Sequence, residues 1–201
     1  MIMKISEQSR PQPRKSPKQA RSLDTVNIII EAAALILEDK GYNGFSTNAI
    51  AERAGISIGS LYQYFSTKDA IIGALLIRET ALLLQDAANA LDQPTGKEAL
   101  LSLISASIAH QFKRPHLARL LDFEETRLPL DSNTTMVLQR VTDIAHLILS
   151  RSDLPRQPDN QVAARDLIAI MKGMIDAAGA KGETDLISLA SRVERAVFGY
   201  L

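Results

Sequence analysis

The chain has 201 residues, 23 Lys/Arg balanced by 23 Asp/Glu, 46% hydrophobic residues, 4% aromatic ones and no cysteine. The lack of cysteine excludes a disulfide scaffold, thiol catalysis and zinc–cysteine sites. No apolar run approaches the roughly eighteen residues of a membrane span, and no apolar segment follows the basic N-terminus, so neither a span nor a secretory signal is expected.

Abundant Ala, Leu and Ile with few aromatics favour helices over a β-sandwich. The neutral total hides an asymmetry. Residues 1–68 carry nine Lys/Arg against six Asp/Glu, and residues 69–201 carry fourteen against seventeen. Local charge governs attraction to phosphates, because solvent screens charge beyond about 8–10 Å.

Residues 1–21 are polar, basic and broken by Pro11, Pro13 and Pro17. Such a segment buries no core. A solubilising tail and a DNA arm both fit; in the second case Arg14, Lys18 and Arg21 would enter the minor groove or track phosphates. Ser22 to Lys40 reads as a helix, with Val26, Ile29, Ile30, Ala33, Ile36 and Leu37 at helical spacing. Gly41 ends it, and Tyr42, Asn43, Gly44 and Phe45 form a turn, with Phe45 in a staple position.

Next come two short helices around a sharp turn. Ser46 caps the first, which turns Ile50, Ala51 and Ala54 inward. Gly55 suits a left-handed terminus. Ser57 caps the second, whose inner face is Leu61 and Phe65, four apart. Its outer face, Ile58, Gly59, Ser60, Tyr62, Gln63 and Tyr64, is small, polar and aromatic. A helix-turn-helix has this layout, the second helix presenting its outer face to base edges in the major groove.

A longer helix is expected from Ser66, capped by a Ser66-x-x-Asp69 variant of the capping box, to about Leu91. Pro94-Thr95-Gly96 is the first clear break. Helical segments then span Lys97–Lys113, His116–Arg127, Asp131–Arg151, 159–180 with Asp159 as cap and Gly182 beyond the end, and Thr184–Leu201. No strand-period segment or internal repeat stands out.

The run Ala54-Gly-Ile-Ser-Ile-Gly-Ser-Leu-Tyr-Gln-Tyr-Phe-Ser-Thr-Lys-Asp-Ala70 resembles the TetR family of bacterial transcriptional regulators, whose pattern reads A-G-[IV]-S-x-G-x-L-Y-x-[HY]-F-x-x-K-[DE]-x-[LI]. The resemblance implies an all-α fold of about nine helices: a basic flexible arm (1–21), a helix-turn-helix DNA-binding domain (22–70, with the start of the linking helix) and a helical effector-binding and dimerisation domain (71–201). It implies a homodimeric regulator, a repressor by family habit, released from a palindromic operator by a small-molecule effector in the bacterial cytoplasm, on the nucleoid.

For the DNA site, Gly59 lets the backbone approach a base, Ser60 reaches a base edge, Ile58 makes an apolar base contact and Gln63 suits adenine. Tyr62, Tyr64 and Lys68 would hold phosphates, and Thr47, Asn48 and Ser57 would add contacts at the openings of the two short helices. Dimer-interface candidates on the last two helices are Met171, Met174, Ile175, Val193, Val197 and Tyr200. Effector candidates, chosen for shape and polarity alone, are His110, Phe112, His116, Phe123, Glu124, Met136, Arg140, His146, Met171 and Asp176. The low aromatic content favours an aliphatic effector over a stacked one.

Two other classes compete. A ligand-independent DNA-binding or nucleoid-organising protein would show no effector-dependent release. An all-α enzyme finds little support: there is no H-E-x-x-H, no Ser-His-Asp set, and Pro115 separates His110 from His116. No enzyme activity, metal, cofactor or membrane partner is expected.

Overall fold

The computed structural model describes residues 20–127 and 132–201, apart from the side chains of 20, 21, 125, 126 and 132–138. Among them are nine α-helices and no strand: α1 (Ala20–Gly44), α2 (Thr47–Arg53), α3 (Ile58–Tyr64), α4 (Lys68–Ala88), α5 (Gly96–Lys113), α6 (Pro115–Arg127), α7 (Ser132–Leu149), α8 (Asn160–Lys181) and α9 (Leu186–Tyr200), with a 3-10 turn at Asn89–Asp92. The chain divides into two compact units within α4. One ends at Leu76 and the other is Ile77–Leu201. No helix among the described residues is long and apolar enough to cross a membrane.

In the first unit the predicted stripe of α1 is buried throughout: Val26, Ile29, Ile30, Ala33, Ile36 and Leu37. Two boundaries differ from expectation. The helix starts at Ala20, so the backbone of Arg21 is helical rather than part of an arm; Arg14 and Lys18 lie outside the described residues. Gly41 kinks the helix instead of ending it (φ 58°, ψ −158°), and a last helical turn carries Tyr42 onward to Gly44. This φ favours a residue without Cβ. The cap of α4 is also one residue later than expected. The Thr67 hydroxyl, not that of Ser66, accepts the Ala70 N–H at 3.1 Å.

In the second unit α8 is the central helix, packing against α5, α6, α7 and α9. Its Leu167, Met171 and Ile175 share a core with Leu100, Leu103 and Ile104 of α5, Ile144 and Ile148 of α7, and Leu189, Val193 and Val197 of α9. Each such side chain contributes about 1.5–3 kcal/mol by leaving water. This corrects part of the expected dimer face: Met171, Ile175, Val193 and Val197 are consumed by the intrachain core. Met174 packs half-buried at the edge of that core, and Tyr200 is exposed, its hydroxyl donating to Asp166 at 2.7 Å. Apolar periodicity marks an inner face without saying whose surface covers it.

The helix ends are held by side chains. Thr95 and Glu98 form a full capping box on α5, Asp159 takes two N–H groups of α8, and Asp185 takes the Ser188 N–H of α9. The α7–α8 connection reaches back to the α4–α5 corner. Arg151 donates to the carbonyls of Leu91 (2.6 Å) and Gln93 (2.5 Å), while the Asp153 carboxylate accepts from Gly96 N–H at 2.8 and 3.0 Å and from Lys97 N–H at 3.3 Å. These bonds sit where the linking helix, expected to run to about Leu91, stops at Ala88 and tightens into the 3-10 turn. The Gly96 N–H, chiefly, holds the Asp153 carboxyl below the usual carboxylate range.

Candidate nucleic-acid interface

Ser46 caps α2 by accepting the Ala49 N–H at 3.2 Å. At the other end Gly55 is left-handed (φ 67°). Its N–H bonds to Glu52 O (3.1 Å) and that of Ile56 to Ala51 O (3.0 Å), closing the helix in a Schellman motif. The chain is thereby turned into Ser57, whose hydroxyl accepts the Ser60 N–H at 3.0 Å and starts α3. Leu61 and Phe65 are fully buried and anchor α3. The expected caps, turn and anchors of this segment are all present.

The outward face of α3 is what the anchors leave over. Ile58 (38%) and Tyr62 (43%) are large exposed side chains, Gly59 and Gln63 are exposed, and Ser60 and Tyr64 are half-buried. A Cβ added at Gly59 would meet only Ser57 Oγ, at 3.8 Å. Packing within the chain therefore leaves room for a side chain there. The Ser57 and Ser60 hydroxyls lie 2.8 Å apart, and the Thr47 hydroxyl, at the opening of α2, lies 3.1 Å from that of Tyr62 in the second half of α3. Asn48 is exposed beside Thr47. Each hydroxyl pair keeps unused hydrogen-bonding capacity for an oxygen-rich ligand such as phosphate.

Lys68, the first residue of α4, is exposed, with its Nζ 5.9 Å from the centroid of the Tyr42 ring. That ring meets Phe45 edge-on, at 6.2 Å and 61°. Among the described residues Lys68 has no carboxylate partner within 4 Å, whereas Arg53 is paired with Asp39 at 3.0 Å. Sequence reasoning gave Tyr42 only a place in a turn. Nothing in helical spacing links it to Lys68, and it directly follows the kink at Gly41.

The effector candidates differ widely in exposure. His116 and Arg140 are exposed, and Phe123, expected to line a cavity, is 63% exposed. Glu124 is buried (1% exposed) but its carboxylate is taken by Arg127 at 2.6 Å. Met171 belongs to the core, Phe112 packs half-buried against it, and the Met136 side chain lies outside the described residues. His146 is half-buried, with a buried Nδ1 that finds no hydrogen-bond partner among the described residues.

His110 and Asp176 do share an environment, the polar edge where α5 and α6 pack on α8. Gln111 donates to Asp122 at 2.9 Å, and Lys172 lies 3.1 Å from Asp176 and 3.8 Å from Asp122. Burial pushes the His110 imidazole below its usual value, against the opposing pull of Glu79, Asp86 and Asp122. Burial also raises Asp176, with Asp122 adding to it and Lys172 opposing. Among the described residues no group of three or more His, Asp or Glu side chains is placed to hold a metal ion.

One family match falls on the segment that carries this geometry. The sequence profile described as "Bacterial regulatory proteins, tetR family" matches residues 29–75. The A-factor receptor protein of Streptomyces griseus is 38% identical over 64 residues, 32% of this chain and 23% of that protein. The uncharacterized HTH-type transcriptional regulator YobS of Bacillus subtilis is 28% identical over 116 residues, 57% of this chain and 61% of its own length. The chain thus spans less than two thirds of either curated relative. The whole fold resembles that of the transcriptional regulator FadR from Bacillus subtilis, solved in complex with stearoyl-CoA, at TM-score 0.73 and 21% identity, covering 87% of this chain and 98% of that one.

Proposed function

Through residues 29–75 the chain belongs to the TetR family of bacterial regulatory proteins, and from that premise we propose that it is a homodimeric repressor that binds a palindromic operator and leaves it when a small molecule binds the second unit. The observation that carries the DNA-binding half is the outward face of α3. Ile58, Gly59, Ser60, Tyr62, Gln63 and Tyr64 stand clear of the Leu61–Phe65 anchor, and the fold asks little of them. In this reading Ile58, Gly59, Ser60 and Gln63 meet base edges, and Thr47, Asn48, Ser57, Tyr62, Tyr64 and Lys68 hold phosphates. Arg14, Lys18 and Arg21 add charge at the flank.

Two copies are needed because one such helix reads few bases, and half-sites one helical turn apart read a palindrome. With Met171, Ile175, Val193 and Val197 in the intrachain core, the dimer face falls to the outward residues of α8 and α9. Ala169, Gly173 and Ala177 recur every fourth residue and are exposed, and Ile187 is 86% exposed. A Cβ at Gly173 would meet nothing within the chain. Gly173→Ala should stabilise the isolated chain by up to about 1 kcal/mol, and sedimentation should show a weaker dimer if a second copy lies close there.

The effector is best sought among aliphatic molecules. The core of the second unit is built largely of Leu, Ile and Ala, and FadR of similar fold was solved with stearoyl-CoA. The deciding experiment is selection of duplexes from a random pool, followed by release assays against an acyl-CoA series. A selected consensus with no palindrome, or a protein that sediments as a monomer on its DNA, would sink the dimeric reading. Release by no compound would sink the effector reading.

A further inference from the structure

We propose that Tyr42 is a positioning residue for DNA binding: its ring seats the Lys68 ammonium at the phosphate backbone and orders that cation without neutralising it. This rests on the reading of Lys68 as a phosphate contact. A lysine on an exposed helix start is a flexible four-carbon stem, and ordering it on binding costs conformational entropy. An ion pair would order it too, but would offer phosphate a charge already compensated by a carboxylate. Arg53, paired with Asp39, is in that condition. An aromatic face attracts the ammonium through its quadrupole and carries no counter-charge.

The geometry matches that role. Lys68 Nζ is 5.9 Å from the Tyr42 centroid, within the reach of such an interaction. The ring is itself fixed edge-on against Phe45, which is buried, and the Gly41 kink fixes the backbone that carries it. Lys68 opens α4, where the free N–H groups of the first turn also favour an anion.

The test is a double-mutant cycle on the full chain. Its probe is a duplex of about thirty base pairs selected from a random pool by the wild-type protein, with affinity titrated against salt. Tyr42→Leu keeps apolar bulk but removes the π face, and should weaken binding about two- to fivefold per subunit. Tyr42→Phe keeps the ring and should bind as the wild type does. Lys68→Ala should weaken binding more and lower the salt slope by about one unit per subunit. On the Lys68→Ala background, Tyr42→Leu should then have no further effect. Thermal unfolding of each variant records whether the first unit is intact.

If Lys68→Ala changes neither affinity nor salt slope, the phosphate reading of Lys68 fails and the proposal falls with it. If Lys68→Ala acts as expected but Tyr42→Leu costs the same with and without Lys68, or Tyr42→Phe fails to restore binding, then Tyr42 is only a packing residue. In that case the proposal is overturned while the phosphate contact stands.

Discussion

The short pair α2–α3 and the long helices of the second unit are held chiefly by different means. In the first, α2 and α3 are seven residues each, too short to be stable alone, and are fixed by what happens at their ends: the Ser46 and Ser57 caps and the Gly55 turn, with Leu61 and Phe65 as anchors. In the second, helices of up to 22 residues are fixed along their length by apolar stripes meeting in one core. Function is more easily placed on the first kind of helix. A helix held at its ends and by two anchors leaves most of its outward face unassigned by the fold. A helix held along its length engages far more of its residues in packing, and its ligand contacts must share that surface.

The largest effects should be of similar size in the two units, because both depend on buried anchors. Phe65→Ala should cost about 3–5 kcal/mol and Leu103→Ala about 2–5 kcal/mol, both read by thermal unfolding. Each side chain is fully buried. A mild Phe65→Ala would mean that the caps alone hold α3.

Gln63→Ala should separate fold from function. It should leave the melting temperature unchanged while reducing discrimination at one base position by about 1–3 kcal/mol, measured with a set of single-position operator variants. Gly59→Ala sharpens the same contrast. The site has room for a Cβ and φ is not positive there, so the variant should unfold at the same or a slightly higher temperature. Specific DNA binding should nevertheless weaken, because in the proposed binding mode the added methyl would stand where a base edge approaches. A loss of stability would show that the fold, not DNA, requires this glycine.

The smallest effect concerns the second unit and is set by pH. Asp153 is exposed, and its carboxyl is held below the usual range chiefly by the Gly96 N–H. A depressed carboxyl stabilises the fold above its unfolded pKa and loses that contribution as pH falls through the folded value. Asp153→Asn should therefore lower the melting temperature slightly at neutral pH, and the gap from the wild type should close in acid. A gap independent of pH would mean that the charge is irrelevant at this corner.

The helix-turn-helix geometry was legible because its determinants are local. Ser46, Gly55, Ser57, Leu61 and Phe65 act on neighbours within a few residues, so the sequence carries the geometry directly. The helical segments of the second unit were legible for the same reason, through their periodicity and through Asp159 and Gly182. What faces what was not. Val193 and Val197 read equally well as a surface for another subunit or for α8, and only the tertiary arrangement decides. Phe123 and Glu124 show the limit from the other side: they are adjacent and were read alike, yet one is 63% exposed and the other is buried against Arg127. Tyr42 was missed because its partner Lys68 lies on a different helix.

The bonds from Arg151 and Asp153 to the α4–α5 corner carry a kinetic consequence. Gly96 and Asp153 are 57 residues apart in the chain. Closing so long a loop costs entropy before the bonds compensate for it, so they should form late, after the rate-limiting step of folding. Removing them should then leave the folding rate nearly untouched and speed unfolding instead. The corner would thus govern how long the second unit stays folded once made, a property of its lifetime rather than of its assembly. Stopped-flow unfolding of Asp153→Ala beside the wild type would read it directly.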